Sequence, residues 1–349
     1  MRARHRLPVI LLTLTLVAAG VSTPADVAGQ RSTPQAPPKT PAGPPSTGTQ
    51  GPPPPSTVAP PEPGTTTETK GATAPPTVTS PADKDSVRFA VIGDSGTGTK
   101  SQFDIGKQLA NARATFPFEF VIMLGDNIYG SERPQDFAQK FEKPYQALLD
   151  AKVPFYAALG NHDDPTQRFY KPFNMNGERY YTFKKGDARF FVLDSNYMDQ
   201  KQLKWLEDEL SRSGDRWKIA YFHHPIYSSG GRHGSETDLR TQIEPLFIKY
   251  GVDVVFAGHE HFYERIKPQK GIYYFTAGGS AKLRKGDIRK TAITAVGFDT
   301  DYSFMLAELD KNAMRFQVLS RVGKPVDSGT LPLTPDPKRP PADDRTRSQ

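Results

Sequence analysis

Residues 87–96 read VRFAVIGDSG, an apolar run of strand length that gives way at once to a turn holding Asp94. An unbroken apolar run, rather than an alternating one, is what a strand buried on both faces requires. The same pattern recurs downstream. FEFVIML (118–124) leads into GDNIY (125–129), and VPFYAAL (153–159) leads into GNHD (160–163). WKIAYF (217–222) runs into His223 and His224, and VDVVFA (252–257) into GHEH (258–261). Each apolar run therefore ends in a polar cluster. In open α/β sheets ligands bind beyond the carboxyl ends of the strands, where loops turn side chains toward a common crevice. The clusters are expected to converge there.

The segments between these runs set the architecture. SQFDIGKQLANAR (101–113) and residues 134–151 and 237–250 have helical spacing, and QLKWLEDELSRS (202–213) is amphipathic. Strand, helix and strand in alternation predict parallel pairing. RYYTF (179–183) and ARFFVLD (188–194) predict an antiparallel hairpin, and residues 271–331 read almost purely as strands, expected to complete a second sheet packed on the first. The fold class that follows is α/β, with two mixed β-sheets packed as a sandwich flanked by helices, over residues 86–333.

The ends of the chain have a different composition. MRARHR is basic and residues 7–21 are apolar and uncharged before small residues take over, the layout of a secretory signal over residues 1–22. The apolar run is shorter than the roughly 18 to 20 residues that span a bilayer, so a cleaved signal is favoured over an N-terminal anchor and no stable membrane span is expected unless the signal is uncleaved. Residues 23–85 are rich in Pro and Thr and hold about half of the 33 prolines. Such a stretch buries too little apolar surface to fold and reads as a disordered, semi-extended linker. Residues 334–349 read as a disordered tail. The expected location is exported: periplasmic, secreted or at the cell surface.

Composition also narrows the chemistry. The absence of cysteine excludes disulfides, thiolate metal sites and cysteine nucleophiles, so any metal must be held by oxygen and imidazole. The formal net charge of +7 is not gathered into a single-sign stripe, and a nucleic-acid partner is not expected. Of seven histidines, His5 lies in the signal, and His162, His223, His224, His233, His259 and His261 lie within or just after the polar clusters. A histidine after a buried strand is ordinarily a hydrogen-bonded structural residue; coordinated clusters favour ligation.

The ordered set GDSG, GDNIY, GNHD, HHP and GHEH resembles the calcineurin-like metallophosphoesterase superfamily. An Asp-x-Gly first motif, and Tyr129 three residues after Asp126, are similar to its purple acid phosphatase branch. The resemblance covers roughly residues 87–279. It implies that Asp94, Tyr129 and His261 hold one metal ion, that Asn161, His223 and His259 hold a second, and that Asp126 bridges both. The ions would be Fe(III) and a divalent partner, Fe, Zn or Mn, for which carboxylate, phenolate, amide and imidazole donors are suited. The implied reaction is hydrolysis of a small phosphomonoester by hydroxide held at the dinuclear centre. Asn161, His162 and His233 would contact substrate, His162 as the proton donor to the leaving group and His233 as a second imidazole on the substrate side.

Neighbouring residues receive lesser roles. His224 is expected to point away from His223, as adjacent strand residues do. Asp163 and Glu260 are expected to orient histidine rings. Arg265 reads as similar or merely surface, Gly278 and Gly279 as permitting close backbone approach or as a plain turn, and Asp194 as structural. The alternatives are a phosphodiesterase or nucleotidase of the same superfamily, or a non-catalytic, surface-displayed binding module. Oligomeric state, physiological substrate and pH optimum are not readable from the motifs.

Overall fold

The computed structural model describes residues 86–333. The expected signal (1–22), linker (23–85) and tail (334–349) lie outside the described residues. In chain order the elements are β1 (Val87–Ile92), α1 (Lys100–Thr115), β2 (Phe120–Met123), α2 (Pro134–Phe137), α3 (Gln146–Asp150), β3 (Phe155–Ala157), β4 (Tyr181–Lys185), β5 (Ala188–Val192), α4 (Gln200–Arg212) and β6 (Trp217–Phe222). Then follow α5 (Thr237–Tyr250), β7 (Val254–Ala257), β8 (Tyr263–Gln269), β9 (Ile272–Ala277), β10 (Thr294–Phe298), β11 (Ser303–Leu309), β12 (Ala313–Ser320) and β13 (Pro325–Pro332).

Two mixed sheets result. One runs β13-β12-β11-β1-β2-β3 and the other β10-β8-β9-β7-β6-β5-β4. In the first, β1, β2 and β3 are parallel; in the second, β5, β6, β7 and β9 are parallel. The expected hairpin is present as the antiparallel pair of β4 and β5.

The alternation within VRFAVI shows why β1 is apolar throughout. Phe89 and Val91 face the layer between the sheets, where they join Phe120, Phe190, Phe256 and Phe316. Ala90 and Ile92 face outward, onto a second cluster with Ile105 and Leu109 of α1 and Leu148 of α3. A third cluster packs Leu206 and Leu210 of α4 and Ile243 and Phe247 of α5 on the outer face of the second sheet. Phe89 alone meets Phe120 and Phe190 with ring centroids at 5.4 Å, stacked on the first and edge-on to the second. The contact with Phe190 of β5 crosses from one sheet to the other and ties them together beyond their buried area.

Two expectations about elements are corrected. Residues 134–151 do not form one helix: α2 ends at Phe137, a π-helical turn spans Ala138–Glu142, and α3 starts only at Gln146. Pro144 supplies the reason, since it lacks an amide hydrogen and its ring crowds the preceding turn. The strands after residue 271 do not all join the second sheet. β9 and β10 do, but β11 pairs antiparallel with β1 and carries β12 and β13 onto the first sheet. SFMLAEL is buried at every position, which fits a place between β1 and β12 with helices outside and the other sheet inside.

Candidate metal centre

Register levels the ends of the motif strands. Ile92 pairs with Met123 and Met123 with Ala157, while Phe222 pairs with Ala257 and Ala257 with Thr276. The turns that follow β1, β2 and β3 on one sheet, and β6, β7 and β9 on the other, therefore leave the sandwich side by side. Backbone hydrogen bonds fasten them together: Asp94 N donates to Gly125 O at 3.0 Å, Gly258 N to His223 O at 2.9 Å, and Ser280 N to Gly93 O at 3.3 Å. Asp94, Asp126 and His259 take left-handed backbone conformations, with φ of 53°, 52° and 68°. Such conformations are strained for residues with a Cβ and persist where the surroundings impose them, often at functional sites.

All seven residues expected to hold metals come together, in two groups. Tyr129 Oη lies 3.2 Å from Asp94 Oδ1 and 3.3 Å from His261 Nε2, and His261 Nε2 lies 3.3 Å from Asp94 Oδ1. Asn161 Oδ1 lies 2.9 Å from His223 Nε2 and 3.0 Å from His259 Nδ1, and the two imidazole nitrogens are 3.2 Å apart. Asp126 stands between the groups. Its Oδ1 is 3.4 Å from His223 Nε2, and the charge of its carboxylate is among the causes that raise the Tyr129 phenol.

The protonation states implied by burial sharpen this geometry. His223 Nδ1 is 2.9 Å from Leu124 O, so it carries the proton and Nε2 presents a lone pair to the Asn161 oxygen. Burial holds the His223 imidazole well below its ordinary pKa, with His224 adding to the effect; burial also takes His259 down to about 2 and His261 down to about 4. Each is thus neutral, the form that ligates. Burial and the neighbouring Asp126 push Asp94 up, and burial with both carboxylates raises the Tyr129 phenol. Oxygen and imidazole nitrogen atoms are packed about 3 Å apart beside two carboxylates buried from solvent, and His223 Nε2 sets a lone pair against the Asn161 oxygen. A cation in each group would be attracted to these donors and would relieve that repulsion. Bonds of about 2.1 Å at ordinary coordination angles separate neighbouring donors by about 3.0 to 3.4 Å, the spacing found here. The donor set fits two ions.

The remaining expected residues rim the cluster. His162 is exposed, with its ring centroid 4.9 Å from that of Tyr129 and its amide donating to Asp126 Oδ1 at 3.0 Å. His233 is exposed as well; its ring lies 4.3 Å from that of His259 and its Nε2 is 3.2 Å from the Arg284 guanidinium. His224 does not point away. It lies past the last residue of β6, where strand alternation no longer applies, with its ring 4.5 Å from that of His259 and its Nδ1 2.8 Å from Ser195 Oγ.

Nor do Asp163 and Glu260 orient histidine rings. Asp163 accepts from the amides of Asn127, Ile128 and Gly160 and from the side chains of Asn127 and Gln167, pinning the second motif to the third. Glu260 accepts from Gly234 N and Arg284. Arg265 pairs with Asp327 of β13, and Asp194 with Arg179. Gly278 does permit close approach: a Cβ there would stand 2.6 Å from Asp94 Oδ2 and 2.4 Å from Glu260 O.

Two features carried no motif. A cavity of about 420 Å³ opens beside Asn161, walled by Leu159, Pro165, Ser195, Tyr197, His224 and Glu236. The loop after β9 brings Lys282 over the Tyr129 ring at 4.4 Å and Arg284 to His233. The sequence signal for that loop is its basic run, KLRKGDIRK (282–290), directly after Gly278 and Gly279.

Comparison with known proteins agrees with this architecture. The calcineurin-like phosphoesterase family profile matches residues 87–263. Purple acid phosphatase 17 of Arabidopsis thaliana is 29% identical over 253 residues, which cover 61% of this chain and 74% of the relative. The chain spans only about half of longer purple acid phosphatases, 54% of one from the same plant and 46% of one from Glycine max. Among solved structures, the anchor GAP50 of the Plasmodium inner membrane complex aligns with a TM-score of 0.63 at 22% identity, covering 73% of this chain and 91% of that one. The yellow lupin (Lupinus luteus) purple acid phosphatase aligns at 0.57 and 20%, covering 74% and 56%. At such identities the two structures speak for the fold, while the profile spans half of the chain. With its motifs on the ends of paired strands and its donors gathered between two sheets, the chain belongs to the calcineurin-like phosphoesterase family, in the purple acid phosphatase-like branch of these metallophosphoesterases.

Proposed function

We propose that this protein is an exported phosphomonoesterase of the purple acid phosphatase type. The observation that carries the reading is the pair of triangles of potential ligand atoms, each about 3 Å on an edge, with Asp126 between them. Asp94, Tyr129 and His261 would hold Fe(III), and Asn161, His223 and His259 a divalent ion, Fe, Zn or Mn. When bound, such ions lower the pKa of water and take up the charge that develops on the phosphoryl oxygens.

The protein's own residues do the rest. The exposed His162 imidazole, beside the Tyr129 ring, gives a proton to the leaving alkoxide, and the hydrogen bond from its amide to Asp126 ties it to the cluster. Asn161 directs its oxygen into the second triangle and borders the cavity, which has room for the organic part of a small ester. His233 faces substrate from the opposite rim. Among the described residues no helix is long and apolar enough to cross a membrane. Export rests on the signal-like N-terminus.

Metal analysis combined with turnover of p-nitrophenyl phosphate and its diester tests the reading. Purified wild type should carry two metals per chain, show a phenolate-to-iron absorption band, and prefer the monoester. Asp126→Asn should lose both metal and activity. His162→Ala should keep its metals and lose roughly 10²- to 10⁴-fold in kcat. Unchanged rates in both variants would overturn the site, and a preference for the diester would replace the monoesterase reading with a phosphodiesterase one.

A further inference from the structure

Lys282 and Arg284 approach the cluster from one loop, but their charges are handled differently. The Arg284 guanidinium is 3.1 Å from the buried Glu260 carboxylate and 3.6 Å from Asp287, so its charge is compensated. Among the described residues Lys282 has no carboxylate within ion-pair distance. Its ammonium instead stands 4.4 Å from the centroid of the Tyr129 ring, the ring whose hydroxyl is 3.2 Å from Asp94.

The loop holds Lys282 in place from both sides. Ser280 exchanges hydrogen bonds with Gly93, its amide donating to Gly93 O at 3.3 Å and its Oγ accepting from Gly93 N at 3.2 Å. Arg284 N donates to His261 O at 3.0 Å. Lys282 is therefore slung between the backbones of the first and last ligand motifs. A ring face attracts an ammonium only modestly, by about 0.5 to 2 kcal/mol. A cation without an acidic partner, fixed at the mouth of a site that would itself hold positive ions, is an arrangement that an incoming anion stabilises.

We propose that Lys282 is a substrate-binding residue whose ammonium contacts the phosphoryl oxygens of the bound ester and of the product phosphate. This rests on the phosphatase reading of the site. The experiment titrates the metal-loaded full-length protein with inorganic phosphate by calorimetry, and measures p-nitrophenyl phosphate kinetics in parallel. Lys282→Met and Lys282→Gln should each weaken phosphate binding roughly tenfold, the worth of one charge-assisted contact in a partly exposed site, and raise KM similarly with kcat little changed. Lys282→Arg should restore most of the binding. Lys285→Met removes an exposed cation from the same loop and should bind phosphate as wild type does.

Phosphate binding unchanged in both neutral variants overturns the proposal. So does an equal loss in Lys285→Met, which would mean a diffuse field rather than a contact. A wild type that binds phosphate without turnover sinks the phosphatase reading, while the calorimetric comparison still decides Lys282. A wild type that binds no phosphate sinks both.

Discussion

Replacing Gly160 by alanine probes how closely the second and third motifs are packed. A Cβ at this position would stand 2.2 Å from both the backbone nitrogen and Oδ1 of Asp126, whereas ordinary contact begins at 3.4 Å. The shortfall, 3.4 − 2.2, is 1.2 Å, and one of the atoms in the way is backbone, so rotamer changes alone cannot absorb it. Asp126 Oδ1 is also 3.0 Å from His162 N and 3.4 Å from His223 Nε2. Parting the two turns would therefore displace the carboxylate on which both donor groups converge. Overpacking of this kind costs about 1 to 3 kcal/mol of stability. A misplacement near 1 Å in a catalytic constellation costs on the order of 10²-fold in rate. Metal content by elemental analysis, kcat/KM with p-nitrophenyl phosphate and thermal denaturation would be measured together. Gly214→Ala is the control: a Cβ there meets nothing within 4 Å, and the expected change is a gain of about 0.4 to 1 kcal/mol. A Gly160→Ala protein with wild-type metal content and kcat/KM would refute the packing argument.

Two further outcomes follow from one half-buried and one buried carboxylate. Asp163→Ala should cost about 3 to 5 kcal/mol in a denaturant titration, because it strands three backbone amides and takes one acceptor from each of the Asn127 and Gln167 side-chain amides; a loss below about 1 kcal/mol would show that water replaces the carboxylate freely. Asp215 is held below the usual carboxylate range: burial alone would raise it, but Lys184 at 2.6 Å and Arg189 at 2.7 Å prevail. A depressed folded-state pKa gives stability that is present above the unfolded value of about 3.9 and is lost as pH falls through the folded one. Asp215→Asn should therefore melt below wild type at pH 7, with the difference shrinking below about pH 4. A gap that does not change with pH would mean that packing, not charge, is at stake.

The sequence by itself determined the elements that rest on local pattern. Runs such as VRFAVI and VDVVFA carry enough apolar side chains to be buried on both faces, and the helix of residues 237–250 has the bounds its spacing predicts. It also determined which residue types stand at strand ends, and so the donor set that meets in space. Pro144 was equally visible, and the break it makes in the helix of residues 134–151 follows from the missing amide. Other features depended on pairing between distant segments. Whether SFMLAEL joins the first sheet or the second depends on which neighbour lies beside β1, and no periodicity within the strand records that. The direction of His224 was fixed by the end of β6 and by Ser195, which lies 29 residues away in sequence. Asp163 bonds amides rather than an imidazole because two turns from parallel strands close over it. Lys282 reaches Tyr129 only because its loop hangs between Gly93 and His261, contacts that no spacing encodes. Local sequence fixes what each segment buries, and the folded chain decides which segments become neighbours.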